Sequence, residues 1–401
     1  MNVSHPPPRA GRRARAMAPP AAPVAISVPA GAPDLSARIV AAMAPVEPAL
    51  VMLFGMPAGG LGRLGRDLCQ ALDDAGRGDG GCRVVGCSSA GEIGPDGYAQ
   101  DTVMALGFPR ASFRVGLCVL RDQAQVPVSD WMGALRRLHA EFRPDLRRSS
   151  FGVVLADALA RQEDVLAATL DAAIPGLPVI GASTARGIRF EQSDQMVDGQ
   201  ECPGAAVFLL IETDFAVAEV AFTHFSPTDR RAVVTAADLH NRVILELNAE
   251  PAAQEYARLA GLDIAALTPT EFARHPLLLR TGGRHHVRAI RAVSPGGGLQ
   301  LLSGIEAGNV LTVGRAMDMM RGFADALDDL PRPPLMVLGF DCILRRLALE
   351  RAGMTAQMSE LLARYRVAGF NTYGEQHRGM HVNQTFVGMA LMPPEAGQGA
   401  R

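Results

Sequence analysis

The sequence predicts an α/β protein made of two related mixed-sheet domains with internal repeats of about 95 residues, and three observations lead there. Apolar runs of strand length alternate with segments of helical periodicity from residue 35 onward. A strand-end motif recurs: Gly86-Cys87-Ser88-Ser89-Ala90 is matched by Gly181-Ala182-Ser183-Thr184-Ala185 95 residues later, and by Gly369-Phe370-Asn371-Thr372-Tyr373 a further 188 residues on. At 401 residues, against about 150 per domain, the chain has material for two or three domains, each with its own core.

The elements follow in order. Residues 1–34 are rich in Pro, Ala and Arg, lack the apolar stretch of a signal peptide, and read as a disordered tail with Met17 as a second candidate start. "ALVMLFGM" is a buried strand, "GRLGRDLCQALDDAG" a helix closed by Gly76, "CRVVGCSS" a strand, and "DTVMALGF" and "SFRVGLCVL" two more. The order then repeats. "WMGALRRLHAEF" is a helix, "SSFGVVLADAL" a strand, "QEDVLAATLDAAI" a helix, "LPVIGAS" a strand and "GAAVFLLIETDFAVAEVAF" a hairpin. Pro and charges in "THFSPTDRR" place a boundary near 225, which gives an N-terminal domain over 35–224 and a C-terminal domain over 225–392.

The second half opens with the hairpin "RAVVTAADLHNRVILELN" and the helix "EPAAQEYARLAG". Strands follow at "HHVRAIRAVS", "LQLLSGIEAG" and "NVLTVG", then a helix from Arg315, the strand "PLMVLGF", and helices in "DCILRRLALE" and "AQMSELLARY". "GMHVNQTFVGMALM" closes the fold as a strand before a second disordered tail, 393–401. A degenerate fourth repeat near residue 275 would complete the period.

Composition narrows the function. The chain is 48% apolar and 20% charged with net charge −2, so no cationic excess exists to neutralise phosphates, and nucleic acid is not an expected partner. No apolar run reaches the 18 or so residues of a spanning helix, so membrane insertion is not expected either. The six cysteines, Cys69, Cys82, Cys87, Cys118, Cys202 and Cys342, form no zinc spacing, and a reducing cytoplasm is the expected location.

The motif "VVGCSSAGEI" is not a nucleophile elbow, because the residue that G-x-S-x-G requires to be glycine is Ala90. Ser89 and Glu92 have capping-box spacing, but the turn Gly94-Pro95-Asp96-Gly97 stops any helix. What remains is a strand-end loop whose backbone and hydroxyls can approach a ligand: Gly86, Ser88, Ser89 and Glu92, with Asn371, Thr372, Tyr373 and Glu375 in the later copy. The bland alternative is that these residues only make tight turns. Cys87 could be the nucleophile of a cysteine-dependent hydrolase, or a small buried hydrophobe, and the matching residues Ala182 and Phe370 favour the second. Period two puts His381, Asn383 and Thr385 on one strand face, so His381 is a candidate axial ligand for haem or a hydrogen-bonded wall residue. His377 and the pair His285-His286 lack chelating spacing, and Cys202-Pro203 is a weak thiolate signal.

With these motifs in hand, "GCSSAGEI" and "PVIGAS" resemble the N-terminal domain of the FIST family, predicted signal-transduction sensors. "AEPAAQEYARLAG", "FDCILRR" and "GFNTYGEQHRGMHVNQTFVGMAL" resemble its C-terminal domain. The resemblance spans about residues 35–392. It implies a non-enzymatic sensor of a small, amino-acid-like ligand. In the haem-binding nitric-oxide-sensing (NosP) branch, it implies haem b and output through a separate histidine kinase or cyclic-di-GMP enzyme. His381 lies inside the matching segment and is the haem ligand this branch would use here.

Overall fold

A computed structural model describes residues 20–74, 81–121, 127–187, 192–281 and 283–394. Three units with one strand order succeed one another, and an additional sheet interrupts the third. The first unit contains β1 (Val24–Pro29), α1 (Leu35–Met43), β2 (Pro48–Gly55), α2 (Leu61–Asp74), β3 (Arg83–Cys87), β4 (Glu92–Gly94), β5 (Gly97–Ala99) and β6 (Thr102–Pro109). The second contains β7 (Phe113–Leu120), α3 (Val128–Phe142), β8 (Ser149–Asp157), α4 (Glu163–Ala173), β9 (Val179–Thr184), β10 (Gln195–Val197), β11 (Gln200–Glu201) and β12 (Ala206–Thr213).

The third starts with β13 (Ala216–Thr223) and is then interrupted. The insert is β14 (Phe225–Asp238), β15 (Val243–Leu247), β16 (Glu250–Pro251), α5 (Ala252–Ala260), α6 (Pro269–Arg274), β17 (Leu277–Thr281), β18 (Arg284–Arg288), β19 (Ile290–Val293), β20 (Leu299–Leu301) and β21 (Val310–Ala316). The unit resumes with α7 (Met319–Asp328), β22 (Met336–Cys342), α8 (Ile343–Arg351), α9 (Thr355–Arg364), β23 (Val367–Thr372), β24 (Glu375–His377), β25 (Met380–Val382) and β26 (Thr385–Met392).

In each unit two strands run parallel: β2 with β3, β8 with β9, β22 with β23. Parallel neighbours need a crossover, and the intervening helices provide it. The last strand of the unit, β6, β12 or β26, returns antiparallel, and β1, β7 or β13 adds beyond it. The small hairpin leaves home: β4–β5 joins β23 of the third unit, β24–β25 joins β9 of the second, and β10–β11 joins β3 of the first. Every sheet of the ring is finished by a neighbour's hairpin.

The inner faces of the three sheets share one core that includes Phe54, Val153, Leu209, Phe340 and Phe370. Cys87, Ala182 and Phe370 occupy equivalent places in it, two small side chains and one ring, and Phe370 fills its share by stacking 4.6 Å from Phe54. The outer faces are covered by α1 and α2, by α3 and α4, and by α7 and α9. Strands covered on both faces read as continuous apolar runs, which is why β2, buried at every position, is so plain in sequence. The antiparallel insert has a separate core with α5 and α6. Among the described residues no helix is long and apolar enough to cross a membrane.

Several expectations are corrected. Residues 24–29, assigned to the disordered tail, form β1, which pairs with β6 and buries Val28 completely; alternation in "VAISVP" is masked by the surrounding Pro and Ala. The segment 206–223 is not a hairpin, since β12 pairs with β7 and β8 while β13 pairs along its length with β26. The strand expected over 379–392 is broken between β25 and β26, where Gln384 takes φ +50°. The residues near 275 are α6 and β17 of the insert, whose antiparallel order differs from the units, so no fourth repeat stands there. The expected boundary at 225 falls between β13 and β14, which only His224 separates. The helix end at Gly76 and the tails 1–19 and 395–401 lie outside the described residues.

Candidate ligand-binding cleft

A cleft of 320 Å³ opens where β8 and β22 end and the insert covers them. Side chains beyond the carboxyl ends of parallel strands are the usual place for a ligand, because the backbone there turns and leaves a crevice. The second unit contributes Ala158, Arg161 and Glu163; the third contributes Ile343, Leu344 and Leu347 from α8, with Tyr373 and Gln384. The insert closes it with the β14–β15 turn, α6, β19 and β20, including Arg242, Arg291 and Gln300. Ile290, Leu301 and Leu302 face the α8 residues and make the wall largely apolar.

Its charges divide into spent and unspent ones. Arg242 is spent: its Nη2 lies 2.6 Å from Glu163 and donates to the Arg161 carbonyl, and its Nη1 donates to the Leu302 carbonyl at 2.7 Å. Asp164 accepts from the Gly304 N–H at 2.9 Å, and Arg288 donates to the His381 carbonyl at 3.0 Å. These contacts fasten the insert to α4 and to β25. Arg161 and Arg291 have no acidic partner among the described residues, so the cleft carries excess positive charge beside an apolar wall. An anion with an apolar body suits it.

The three strand-end loops are built differently. Each unit pairs a hydroxyl with a long polar side chain at the start of its hairpin: Ser89 donates to Glu92, Thr372 donates to Glu375, and in the second unit Gln195 donates to Thr184 at 3.1 Å. The register is the same in all three, because Glu92 faces Phe370, Glu375 faces Ala182 and Gln195 faces Cys87 across the strand pairs. Backbone bonds interlock the loops: Ala90 and Asn371 donate to each other's loop, and Ser183 and Tyr373 do the same. Gly91, at φ +138°, is required there, because a Cβ would strike the Arg346 guanidinium that donates to Asn371 at 2.8 Å.

All of this is out of solvent: Ser88, Asn371, Thr372 and Glu375 are fully buried, and Ser89 and Glu92 nearly so. Burial pushes the Glu92 carboxyl up and holds that of Glu375 well above the usual range, even though hydroxyl and N–H donors favour the charged form. Gly86 packs on Leu53 and Met196. Of the loop residues singled out in sequence, Tyr373 alone among the described residues lines the cleft.

Cys87 is buried in the central core, and burial holds its thiol pKa well above the ordinary range, the environment of a small buried hydrophobe rather than of an activated thiol. His381 is 2% exposed and burial lowers its pKa; its Nδ1 lies 3.2 Å from Gln376 Nε2. Gly374 is pressed against its other edge, where a Cβ would stand 2.8 Å from Nε2. An axial ligand needs that nitrogen open onto an apolar slot, so the residues around His381 do not fit a haem. Asn383 is fully buried, and among the described residues neither of its amide atoms has a hydrogen-bond partner, a place that suits an ordered water.

Sequence reasoning missed Arg161, Arg242 and Arg291, which carry no local signal, and Gln384, which sits in the most recognisable segment. Comparison with protein families matches the FIST N domain to residues 50–250 and the FIST C domain to residues 252–378. The division between the two matches falls at β16, inside the insert. No curated protein matches the chain.

Proposed function

The chain belongs to the FIST family, whose domains sense small ligands in signal transduction, and from that premise we propose that it is a sensor whose ligand occupies the cleft between the insert and the three-unit ring. The observation that carries this reading is the pair Arg161 and Arg291, without acidic partners among the described residues, beside an apolar wall in 320 Å³. The ligand is a small carboxylate with an apolar body, of amino-acid size. Its carboxylate takes the guanidiniums and its body the wall of α8 and β20; haem is not part of this reading.

A bound ligand touches the ring through α8 and Tyr373 and the insert through Arg291 and Leu301. It therefore strengthens one arrangement of insert and ring over others, the condition any switch must meet. The fastening of Arg242 to Glu163 and of Gly304 to Asp164 is the element whose equilibrium it biases, and a separate signalling protein reads the result. A thermal-shift screen of amino acids and short carboxylates tests this. A ligand that raises the melting temperature of the parent chain, and loses at least about tenfold in affinity in Arg291→Ala, is the expected result. A ligand found by the screen that binds Arg161→Ala and Arg291→Ala as tightly as the parent would place the site elsewhere.

A further inference from the structure

We propose that the insert carries a second site, for a phosphate-bearing small molecule, on the groove formed by β14, β21, β17 and β18. The groove encloses 540 Å³ and shares no lining residue with the cleft. Arg231 stands opposite Thr312 across β14 and β21, and Arg280 stands opposite His285 across β17 and β18, so three nitrogen-bearing cationic or basic groups line one hollow. Thr281 and Asn309 add a hydroxyl and an amide, and Val310 supplies an apolar patch.

No acid is among the described residues that line the groove, and neither Arg231 nor Arg280 has an ion-pair partner among the described residues. Crowding like charges costs free energy that an anion would recover. Burial lowers the His285 pKa most, and the neighbouring Arg280 and then Arg231 lower it further. A phosphate matches the donor set better than a carboxylate, because two planar guanidiniums, an imidazole and a hydroxyl can serve the several oxygens of one tetrahedral group. A small molecule fits better than a nucleic acid, since the chain as a whole carries net charge −2 and the groove is short.

Isothermal titration of the full chain with pyrophosphate, with sulfate and a hexaglutamate peptide as comparison probes at fixed ionic strength, tests the proposal. Pyrophosphate is expected to bind at least about tenfold tighter than sulfate, and Arg231→Ala and Arg280→Ala are each expected to weaken it by about tenfold. Both arginines are exposed, so circular dichroism should show both variants folded. Pyrophosphate should also raise the pKa of the His285 ring followed by NMR, the charged groups acting on that ring being Arg280 on β17 and Arg231 on β14. Equal binding of sulfate and pyrophosphate would mean an adventitious ion only. Tighter binding of hexaglutamate would mean a protein partner, and affinity unchanged in both variants would place the anion elsewhere; each of these overturns the proposal.

Discussion

Thr372 and Tyr373 are consecutive residues at one strand end, yet they belong to opposite kinds of environment. Thr372 points into a closed elbow where its hydroxyl meets Glu375 and the neighbouring unit's strands exclude solvent. Tyr373 lines the cleft, where Arg161 and Arg291 face no acid among the described residues. The difference teaches where to look for function: polar groups that satisfy one another hold the fold, and guanidiniums that face a cavity without an acid among the described residues, as Arg161 and Arg291 do, await a ligand.

The largest break in that comparison should come from the closed side. Glu375→Ala removes the acceptor of both the Thr372 hydroxyl and the Thr385 N–H at a fully buried site, and should cost about 4 kcal/mol in urea unfolding. Next is the fastening between the two regions. Arg242→Ala strands Glu163, which is 3% exposed, and should cost about 3 kcal/mol, with hydrogen exchange showing the insert protected less than the ring.

A smaller effect sharpens the comparison through pH. Because burial raises the folded pKa of Glu375, its contribution is full below its ordinary value of 4.5 and is lost as the pH climbs through the folded value. Glu375→Gln, which copies the Gln195 of the second unit, has no such loss. The variant should therefore gain on the parent in urea midpoints as the pH rises from 4.5 to 8, and parallel curves would mean the carboxyl is charged when folded. Smallest is the open side: Arg291→Ala should change stability by less than about 0.5 kcal/mol while it weakens the ligand, a split no buried elbow residue can produce.

How much of this could be read from the sequence follows from the same division. The elbows of the first and third units are legible because hydroxyl and carboxylate lie three residues apart, as Ser89 with Glu92 and Thr372 with Glu375. In the second unit the partner of Thr184 is Gln195, eleven positions on, so a comparison by spacing finds Gly187 instead and loses the acid's counterpart. The parallel strands are legible because both of their faces are buried. The break at Gln384 is hidden, since no glycine marks its positive φ. The cleft is invisible to any local reading, because Arg161, Arg291 and Tyr373 meet only when the second unit, the insert and the third unit have assembled.

The exchange of hairpins also sets a timetable for synthesis. When residues 92–99 leave the ribosome, the edge that β4 will join, on β23, is still some 270 residues from being made. Nor does the first sheet have its final strands until β10 and β11 emerge, so the nascent chain carries an open edge and an unplaced hairpin through most of translation. Closure arrives with residues 367–382, when one short stretch seats the first hairpin and completes the second sheet.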